Sequence, residues 1–483
     1  MLQRTNLIWL LGTLLLVRII AMVVVPLADT TEPRYAEIAR LMLTTNDWIT
    51  PWFEPDVPFW GKPPLSFWAQ ALSFKLFGIN EFAGRLPALL AFIATAWMLW
   101  RMAVSAVSAQ VAAASVVVYS SMLLTFLAAG TVMTDPYLAL GTTWAMVAFY
   151  LAPKENVWYW RYGVFIGLGI GLLAKGPLAI VIAGAPIGLW VLFQGKLMHY
   201  LRTMPWIRGT LLTLFIALPW YILAELKTPG FINYFIVGEH FMRFVDPGWM
   251  GDLYGHAHKE AKGMIWLHWL AGSTPWGPLA LLLLVGHMLT ASLRKTVWHA
   301  LKQPVVIYAL LWALVTPVFF TAAGNVIWTY VLPSMPAFAI LMGWAMVKLN
   351  NGQKWRKLGF IFVMWFMPIA GLIFSAFIAN NNNLMKTEKT IAEYVAQQPQ
   401  IGDNSNWSRL YYLAPKLEFS ARFYSHDKAK PVKMGQLENL VMQQQGVFLA
   451  VPTDQWETTV AHFGARLEPR IENMRFKLAF LKP

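Results

Sequence analysis

The sequence predicts an all-α polytopic membrane domain followed by a small α/β domain, and three observations support this fold class. The 483 residues are 57% hydrophobic and 13% charged, with a mean hydropathy of +0.49, which is more apolar than a soluble surface allows. Apolar runs long enough to be membrane helices recur along the chain. The residues after position 379 have an ordinary polar composition instead.

Apolar runs of spanning or near-spanning length predict about eleven transmembrane helices. The first run is longer than a signal-peptide core and lacks a good cleavage site, so we expect it to be retained. With the N-terminus in the cytoplasm, clusters of Lys and Arg fall in alternate loops, as the positive-inside rule requires. The runs cover residues 7–27, 83–103, 109–130, 136–152, 158–174, 177–193, 209–225, 263–290, 304–322, 328–347 and 358–379.

The polar C-terminal segment predicts a small mixed α/β domain. Strand-like RLYYLA, GVFLAVP and RFKLAFL alternate there with helix-like TEKTIAEYVAQQ, GQLENLVMQQ and TDQWETTVAHF. We therefore predict a membrane domain over residues 1–379 and a soluble domain over residues 380–483. The odd number of membrane helices places the second domain on the side opposite the basic loops, together with the acidic and histidine-containing segments.

Composition restricts the chemistry that is open to this protein. It contains no cysteine, which excludes a disulfide framework, a thiolate nucleophile and a zinc–thiolate site. The net charge of +14 is explained by basic cytoplasmic loops, so no nucleic-acid partner is expected. Carboxylates, histidines, lysines and arginines are left to carry any chemistry.

The first non-cytoplasmic loop begins with ADTTEPRYAEIARLML, which places Asp29 and Glu32 directly after the first span. An apolar stripe along this stretch predicts an amphipathic helix on the membrane surface. Glu32 then either delivers a carboxylate to the interface or only complements the dipole at the start of the helix. The stripe consists of Tyr35, Ile38, Ala39, Met42 and Leu43.

Further candidates lie near the same side of the membrane. Lys62 precedes two prolines and a second amphipathic helix in GKPPLSFW, and it either serves a site or snorkels. Asp135 in TVMTDPYLAL either faces a site or only caps a helix. Lys175 in GLLAKGPLAI lies between two apolar runs, and because charges at membrane depth are costly we expect it to reach an anionic head group. Tyr330 is a phosphate donor or an interfacial aromatic residue.

The loop over residues 225–262 is rich in charged side chains and histidines. Arg243 follows Glu239 and His240 by about one helical turn and could clamp a phosphate. His256 and His258 could bind a divalent metal ion with Glu239 or His240, although their spacing matches no closed zinc motif. A solvated polar loop is the alternative.

Several motifs in order resemble the GT-C glycosyltransferases: EPRYAEIARLML, GKPPLSFW, EFAGRLPALL, TVMTDPYLAL, LLAKGPLAI, GEHFMRF, HAHKE and TYVLPSMPAFAI. Over residues 1–350 the chain resembles the bacterial branch related to protein O-mannosyltransferases, and closely the lipid A 4-amino-4-deoxy-L-arabinose transferases. The resemblance implies a bacterial inner-membrane enzyme facing the periplasm and needing no organic cofactor. Such an enzyme passes a sugar from undecaprenyl phosphate to lipid A, another glycan or protein, with inversion.

The same resemblance assigns roles to residues. The acid in TEPRY is implied to be the catalytic carboxylate, and because Thr31 replaces an Asp that relatives often have, either Glu32 or Asp29 serves. Asp135 is a further catalytic candidate. Gly61 stands where the aminoarabinose transferases have Glu, which removes a carboxylate near the donor phosphate. The phosphate-binding positions are implied to be Lys62, Lys175, His240, Arg243 and Tyr330.

The residue types fit glycosyl transfer independently of the resemblance, since the reaction needs a base for an acceptor hydroxyl and cations where charge develops on the leaving phosphate. An acceptor phosphate would already be ionised and would need no base. The alternative function is a transporter or flippase for an anionic polyprenyl-linked lipid. Such a protein should show inverted repeats and ionisable residues near the midplane, and the sequence shows no repeat.

Overall fold

The computed structural model describes residues 4–155, 157–246, 249–255, 259–289, 298–299, 301–348, 354–399, 406–444 and 446–483. These residues form a bundle of apolar helices, a helical first loop and a five-stranded C-terminal sheet. The predicted fold class, a helical membrane part with a small α/β domain, is confirmed.

Within the described residues, each predicted apolar run is helical over most of its length. Shorter helical pieces connect the main helices, among them the π-helical segment Asn233–Met242 and the 3-10 helix Trp328–Ser334. The main helices are Arg4–Val24, Glu81–Ala106, Ala109–Ser121, Leu123–Ala128, Asp135–Leu151, Gly163–Lys175, Leu178–Phe193, Trp206–Lys227, Met264–Gly272, Trp276–Leu289, Pro304–Phe320, Met335–Lys348 and Lys354–Asn380.

The number of complete spans differs from the predicted eleven. Among the described residues, five helices are long and apolar enough to cross a membrane, and a pair bent by 105° makes a sixth if it is one span. Four further apolar helices have only 10–17 residues. At 1.5 Å per residue such helices are shorter than a hydrocarbon core about 30 Å thick. The protein is an integral membrane protein, but eleven full spans are not confirmed.

Glycines bring two of these helices into very close contact. A side-chain carbon placed on Gly141 would lie 2.6 Å from the carbonyl oxygen of Gly167, and one placed on Gly167 would lie 2.4 Å from that of Gly141. Asp135–Leu151 and Gly163–Lys175 therefore pack backbone to backbone, which larger residues would prevent. The two helices run in opposite directions, so Asp135 and Lys175 meet at the same end.

The first loop differs from its predicted position. Its helix, Thr31–Thr45, is buried on nearly all sides between the helices Leu65–Phe77 and Phe419–Tyr424. The expectation that it lies on the membrane surface with one apolar face is wrong, because the polar face is covered as well. Glu37 and Arg40 on that face form a buried bidentate ion pair with both distances at 2.7 Å. A short hairpin of β1 (Trp52–Glu54) and β2 (Val57–Pro58) completes the loop.

The C-terminal domain is a mixed sheet with helices on it. Its strands are β3 (Leu410–Leu413), β4 (Lys430–Val432), β5 (Val447–Pro452), β6 (Leu467–Glu472) and β7 (Phe476–Leu481), in the order β4-β3-β5-β7-β6. β3 is parallel to β4 and β5, whereas β7 is antiparallel to β5 and β6. The helices are Lys389–Gln397, Phe419–Tyr424, Leu437–Gln444 and Trp456–Phe463.

The three predicted strands and three predicted helices of this domain are confirmed. β4, β6 and the helix Phe419–Tyr424 were not predicted from the sequence. β6 is an edge strand with the half-exposed sequence LEPRIE, which gives no alternating apolar signal. The proposed domain boundary at residue 379 stays a prediction.

Asp29 joins the first loop to the C-terminal domain. Its carboxylate accepts hydrogen bonds from the backbone N–H of Ser420 at 2.9 Å and from the Ser420 hydroxyl, and an Arg475 nitrogen lies 2.6 Å away. The same guanidinium pairs with Glu388 at 2.7 Å. Thr387 also donates to the carbonyl of Leu27 at 2.8 Å. A buried polar network therefore fixes the C-terminal domain on the first loop.

This network predicts a pH dependence. Burial raises the pKa of Glu388 to about 7, although Arg475 and Asn473 act to lower it. An acid whose pKa is higher in the folded chain stabilises the fold at low pH, and this contribution is lost as the pH rises through about 7. We therefore expect the C-terminal domain to unfold at a higher temperature near pH 6 than near pH 8, with Glu388→Gln removing most of the difference. An unchanged pH dependence in that variant would contradict the assignment.

Candidate active site

A polar cavity of about 650 Å³, here called the outer cavity, lies between the ends of the membrane helices and the C-terminal domain. The first loop, the ends of two packed helices, the long loop and the C-terminal domain all contribute to its wall. A smaller cavity of about 180 Å³, the apolar cavity, adjoins it. Both cavities are lined by Lys62, Lys175, Glu239, Arg243 and Tyr330.

Lys175 and Asp135 form a buried ion pair in the wall of the outer cavity. The Lys175 ammonium lies 2.5 Å from a carboxylate oxygen of Asp135, and the two side chains are only 8% and 9% exposed. The ammonium also lies 4.5 Å from the centre of the Tyr330 ring. Close helix packing therefore places a positive charge, its counterion and an aromatic face at one point of the cavity.

A second cationic group surrounds Glu239. This carboxylate accepts from Lys62 at 3.1 Å and from Arg243 at 3.0 and 3.1 Å, and Arg243 lies 3.5 Å from Asp252. Burial by itself would raise the pKa of Glu239, but the ammonium of Lys62 and the guanidinium of Arg243 outweigh it and lower the pKa. Glu239 is therefore ionised at neutral pH and holds both cations toward the cavities.

The apolar cavity continues from these cations toward the membrane helices. Apart from the five shared residues, His240 and Asn325, its lining is hydrocarbon and aromatic. A groove of this kind suits an isoprenoid chain whose charged end lies at the cations. The apolar lining includes Leu178, Val181, Phe235, Phe244, Phe319 and Phe320.

His240 lies at the apolar cavity but is not free to bind phosphate. Its two ring nitrogens lie 2.8 Å and 2.9 Å from the carbonyl oxygens of Phe235 and Lys175. Burial lowers the pKa of His240, although those two carbonyls act to raise it. The expectation that it donates to the donor phosphate is therefore corrected. The imidazole instead supports the backbone at Lys175.

Glu32 does not line either cavity. Its carboxylate accepts from Arg85 at 3.0 and 2.7 Å and from the backbone N–H of Val132 at 2.9 Å. Arg85 also donates to the carbonyls of Met22, Val25 and Pro26. The expectation that Glu32 faces the substrates is wrong, because a buried arginine binds both of its oxygens.

Asp29 is likewise turned away from the substrates, since its carboxylate is bound by Ser420 and Arg475 as described above. Of the three predicted catalytic acids, only Asp135 lines the outer cavity. Thr31, which stands at the position where relatives often have Asp, does line it. The loop selected from the sequence does reach the outer cavity, but the two acids selected on it do not line that cavity.

The predicted metal site is not supported by the residues that can be assessed. His256 and His258 lie outside the described residues, and within the described ranges no group of three His, Asp or Glu side chains could hold a metal ion. Glu239 is bound by Lys62 and Arg243, so its surroundings do not fit a metal ligand. A divalent ion stays a prediction.

Known proteins are similar to this chain in sequence and in fold. The profile of the dolichyl-phosphate-mannose-protein mannosyltransferase family matches residues 61–223, which include Lys62, Asp135 and Lys175. The structure is similar to the crystal structure of ArnT from Cupriavidus metallidurans bound to undecaprenyl phosphate, with a TM-score of 0.75 and 18% identity over 99% of this chain and 98% of that one. The chain therefore has the fold of ArnT, and its sequence resembles the GT-C glycosyltransferases.

Two curated relatives are undecaprenyl phosphate-alpha-4-amino-4-deoxy-L-arabinose arabinosyl transferases. The one from Aeromonas hydrophila is 31% identical over 364 residues, which are 72% of this chain and 61% of that protein. The one from Yersinia pestis is 29% identical over 344 residues, which are 68% of this chain and 56% of that protein. The chain thus spans less than two thirds of the length of these relatives.

Two cations that line the outer cavity, Arg34 and Lys416, and the buried partner of Glu32, Arg85, were not proposed as functional residues from the sequence. Arg85 carries a usable signal, because an arginine inside an apolar run is rare and usually functional. Arg34 lies in the TEPRY motif and lines the outer cavity. Lys416 lines it too, but it belongs to a loop of the C-terminal domain with no local motif. Only the tertiary structure brings it to the site.

Proposed function

We propose that this chain is a bacterial inner-membrane glycosyltransferase whose cavities face the periplasm. It transfers a sugar from undecaprenyl phosphate to a phosphate-bearing acceptor such as lipid A. One observation carries the proposal: Lys62, Lys175, Arg243 and Tyr330 lie in the wall shared by a polar and an apolar cavity. The names of the relatives support 4-amino-4-deoxy-L-arabinose, a pentose, as the sugar.

The donor would lie across both cavities. Its isoprenoid chain enters the apolar cavity, its phosphate lies against Lys62, Lys175 and Arg243, and its sugar projects into the outer cavity. Glu239, Asp252 and Asp135 hold these three cations in place through ion pairs. The geometry resembles a preorganised anion hole, in which fixed cations stabilise charge that develops on the leaving group.

The reaction would need little proton transfer at the leaving side. The bond between the sugar and the phosphate oxygen breaks with its electron pair moving to that oxygen, and undecaprenyl phosphate leaves as an anion. An acceptor oxygen attacks the same carbon from the opposite face, which inverts its configuration. The three cations lower the energy of this step because they bind the phosphate more strongly as its charge increases.

The acceptor is proposed to be a phosphate because Glu32 and Asp29 of the first loop do not line the outer cavity, and Glu54, which does, is paired with Arg422 at 3.0 Å. A hydroxyl acceptor needs a general base within hydrogen-bonding reach, whereas a phosphate oxygen is already ionised. Glu32 and Asp29 are bound by arginines, and Thr31 occupies the cavity position that an acid could have filled. Asp135 then orients Lys175 and balances charge.

Donor binding is directly testable with undecaprenyl phosphate. Arg243→Ala should weaken the binding of undecaprenyl phosphate by about 2 kcal/mol or more. The substitution removes one of the proposed phosphate contacts and one of the two cations that pair with Glu239. Arg101→Ala is a matched control, since Arg101 also pairs with a glutamate, Glu155 at 2.8 Å, but does not line either cavity. Affinities measured for the full chain in nanodiscs should separate the two variants.

Equal affinities in the Arg243 and Arg101 variants would move the donor site elsewhere. A second assay, which follows a label on the sugar of the donor lipid, tests the transporter alternative. A flippase moves the labelled lipid between leaflets without breaking the sugar–phosphate bond. Labelled sugar that appears on the acceptor supports transfer. Label that stays on the polyprenyl lipid while crossing the membrane would contradict it.

A further inference from the structure

A segment of the C-terminal domain forms one wall of the outer cavity. Residues 416–419 follow β3 and end with the first residue of the helix Phe419–Tyr424, and all four line the cavity. Their position is determined at their C-terminal end, where Asp29 binds the next residue, Ser420, and Arg475 lies 3.5 Å from Glu418. The buried network described above therefore holds this segment, here called the C-terminal wall, over the site.

The pairing of charges around the cavity is uneven. Lys62 and Arg243 share Glu239, Arg243 also lies 3.5 Å from Asp252, and Lys175 has Asp135. The carboxylates near the C-terminal wall are paired with arginines that do not line the cavity, Glu54 with Arg422 and Glu418 with Arg475. The cations at the proposed donor phosphate therefore have counterions within the cavity.

Two other cations of the lining lack such counterions. In the part of the chain that the structure describes, no carboxylate lies within ion-pairing distance of Lys416 or Arg34. Arg34 donates to the carbonyl of Tyr254 at 2.9 Å, while its buried Nε has no described hydrogen-bond partner. Its guanidinium lies 5.9 Å from the ring centre of Phe419, so it adjoins the C-terminal wall.

We propose that Lys416, on the C-terminal wall, binds a phosphate of the acceptor and thereby sets acceptor specificity. This inference rests on the proposed glycosyl transfer and adds the side from which the acceptor is recognised. Two unneutralised cations in one polar cavity suit a second anion besides the donor phosphate. Lys416 makes and breaks no bond. It contributes an ammonium that can follow the acceptor head group, while Arg34, near Phe419 of the same wall, provides a more rigid donor.

The test measures acceptor recognition separately from donor binding. The full chain in nanodiscs is titrated with lipid A carrying both phosphates and with the fully dephosphorylated form, each in the presence of undecaprenyl phosphate. Lys416→Ala should weaken binding of the phosphorylated form about tenfold and hardly affect the dephosphorylated form. Lys416→Arg should keep most of the affinity. The affinity for undecaprenyl phosphate itself should not change.

Lys430→Ala is the matched control, because Lys430 is an exposed lysine of the same domain that does not line the cavity. Wild-type affinity for phosphorylated lipid A in Lys416→Ala, or equal losses in the two alanine variants, would overturn the inference. Failure of the proposed function looks different. The wild-type chain would then transfer no labelled sugar, even if phosphorylated lipid A still bound in a Lys416-dependent manner.

Discussion

Lys175→Met is expected to lower the rate of sugar transfer at least about 100-fold, the cost typical of losing one group that stabilises developing negative charge. The substitution removes a cation from the proposed leaving-phosphate site. It also leaves Asp135 as an unpaired charge in a buried position, which costs about 3–5 kcal/mol of folding free energy. Turnover with a labelled undecaprenyl-phosphate sugar and thermal unfolding, measured on the same preparation, report the two effects.

A double variant separates catalysis from folding. Asp135→Asn together with Lys175→Met removes both charges, so most of the stability should return while turnover stays low. Lys154→Met is a control for lysine removal, because the Lys154 ammonium also lies over a tyrosine ring, 4.1 Å from the centre of Tyr150. Lys154 is exposed and lines neither cavity. Full turnover in Lys175→Met would remove this residue from the mechanism.

Arg85→Met is expected to be the most destabilising of the single substitutions considered. The Arg85 side chain is only 3% exposed and binds Glu32 and three backbone carbonyls. Removing the guanidinium leaves a carboxylate and those carbonyls without their donor, at a cost of about 3–5 kcal/mol. Thermal unfolding of the full chain in detergent should show the loss as a clearly lower midpoint.

Glu32→Gln tests the Glu32–Arg85 ion pair by changing the carboxylate instead of the guanidinium. Because Glu32 is directed at Arg85 and Val132 instead of the cavity, the variant should lose stability but keep turnover per folded molecule within a few-fold. The double variant with Glu32→Gln and Arg85→Met should lose less folding free energy than the sum of the two single losses, since the two side chains interact directly. A large loss of turnover at unchanged stability would restore Glu32 as the catalytic acid.

Much of the site was predictable because cations near a bilayer are costly and therefore conspicuous in sequence. Lys175 is flanked by apolar runs, and Lys62 and Arg243 lie in loops on the same side of the membrane. The structure brings all three to one wall together with Tyr330. Their roles toward the donor phosphate still await the measurements above.

The acids were harder to assign. A carboxylate in a loop can face substrate or bind a distant arginine, and sequence spacing does not distinguish these outcomes. Glu32 is bound by Arg85, which lies 53 positions away, and Asp29 is bound by Arg475, which lies 446 positions away. Neither arginine lies near its acid in the sequence, so neither pairing was visible before the chain was folded.

The amino-acid sequence by itself determined that this is a helical membrane protein with a small α/β domain, because apolar run length and local periodicity are properties of neighbouring residues. Through the distribution of Lys and Arg it also predicts which side of the membrane carries the chemistry, and this orientation stays a prediction. Only the tertiary structure decided which charges face the cavities. Ion pairs form between side chains that lie far apart in sequence, and the pairing that buries the least unsatisfied charge depends on the packing of the whole chain.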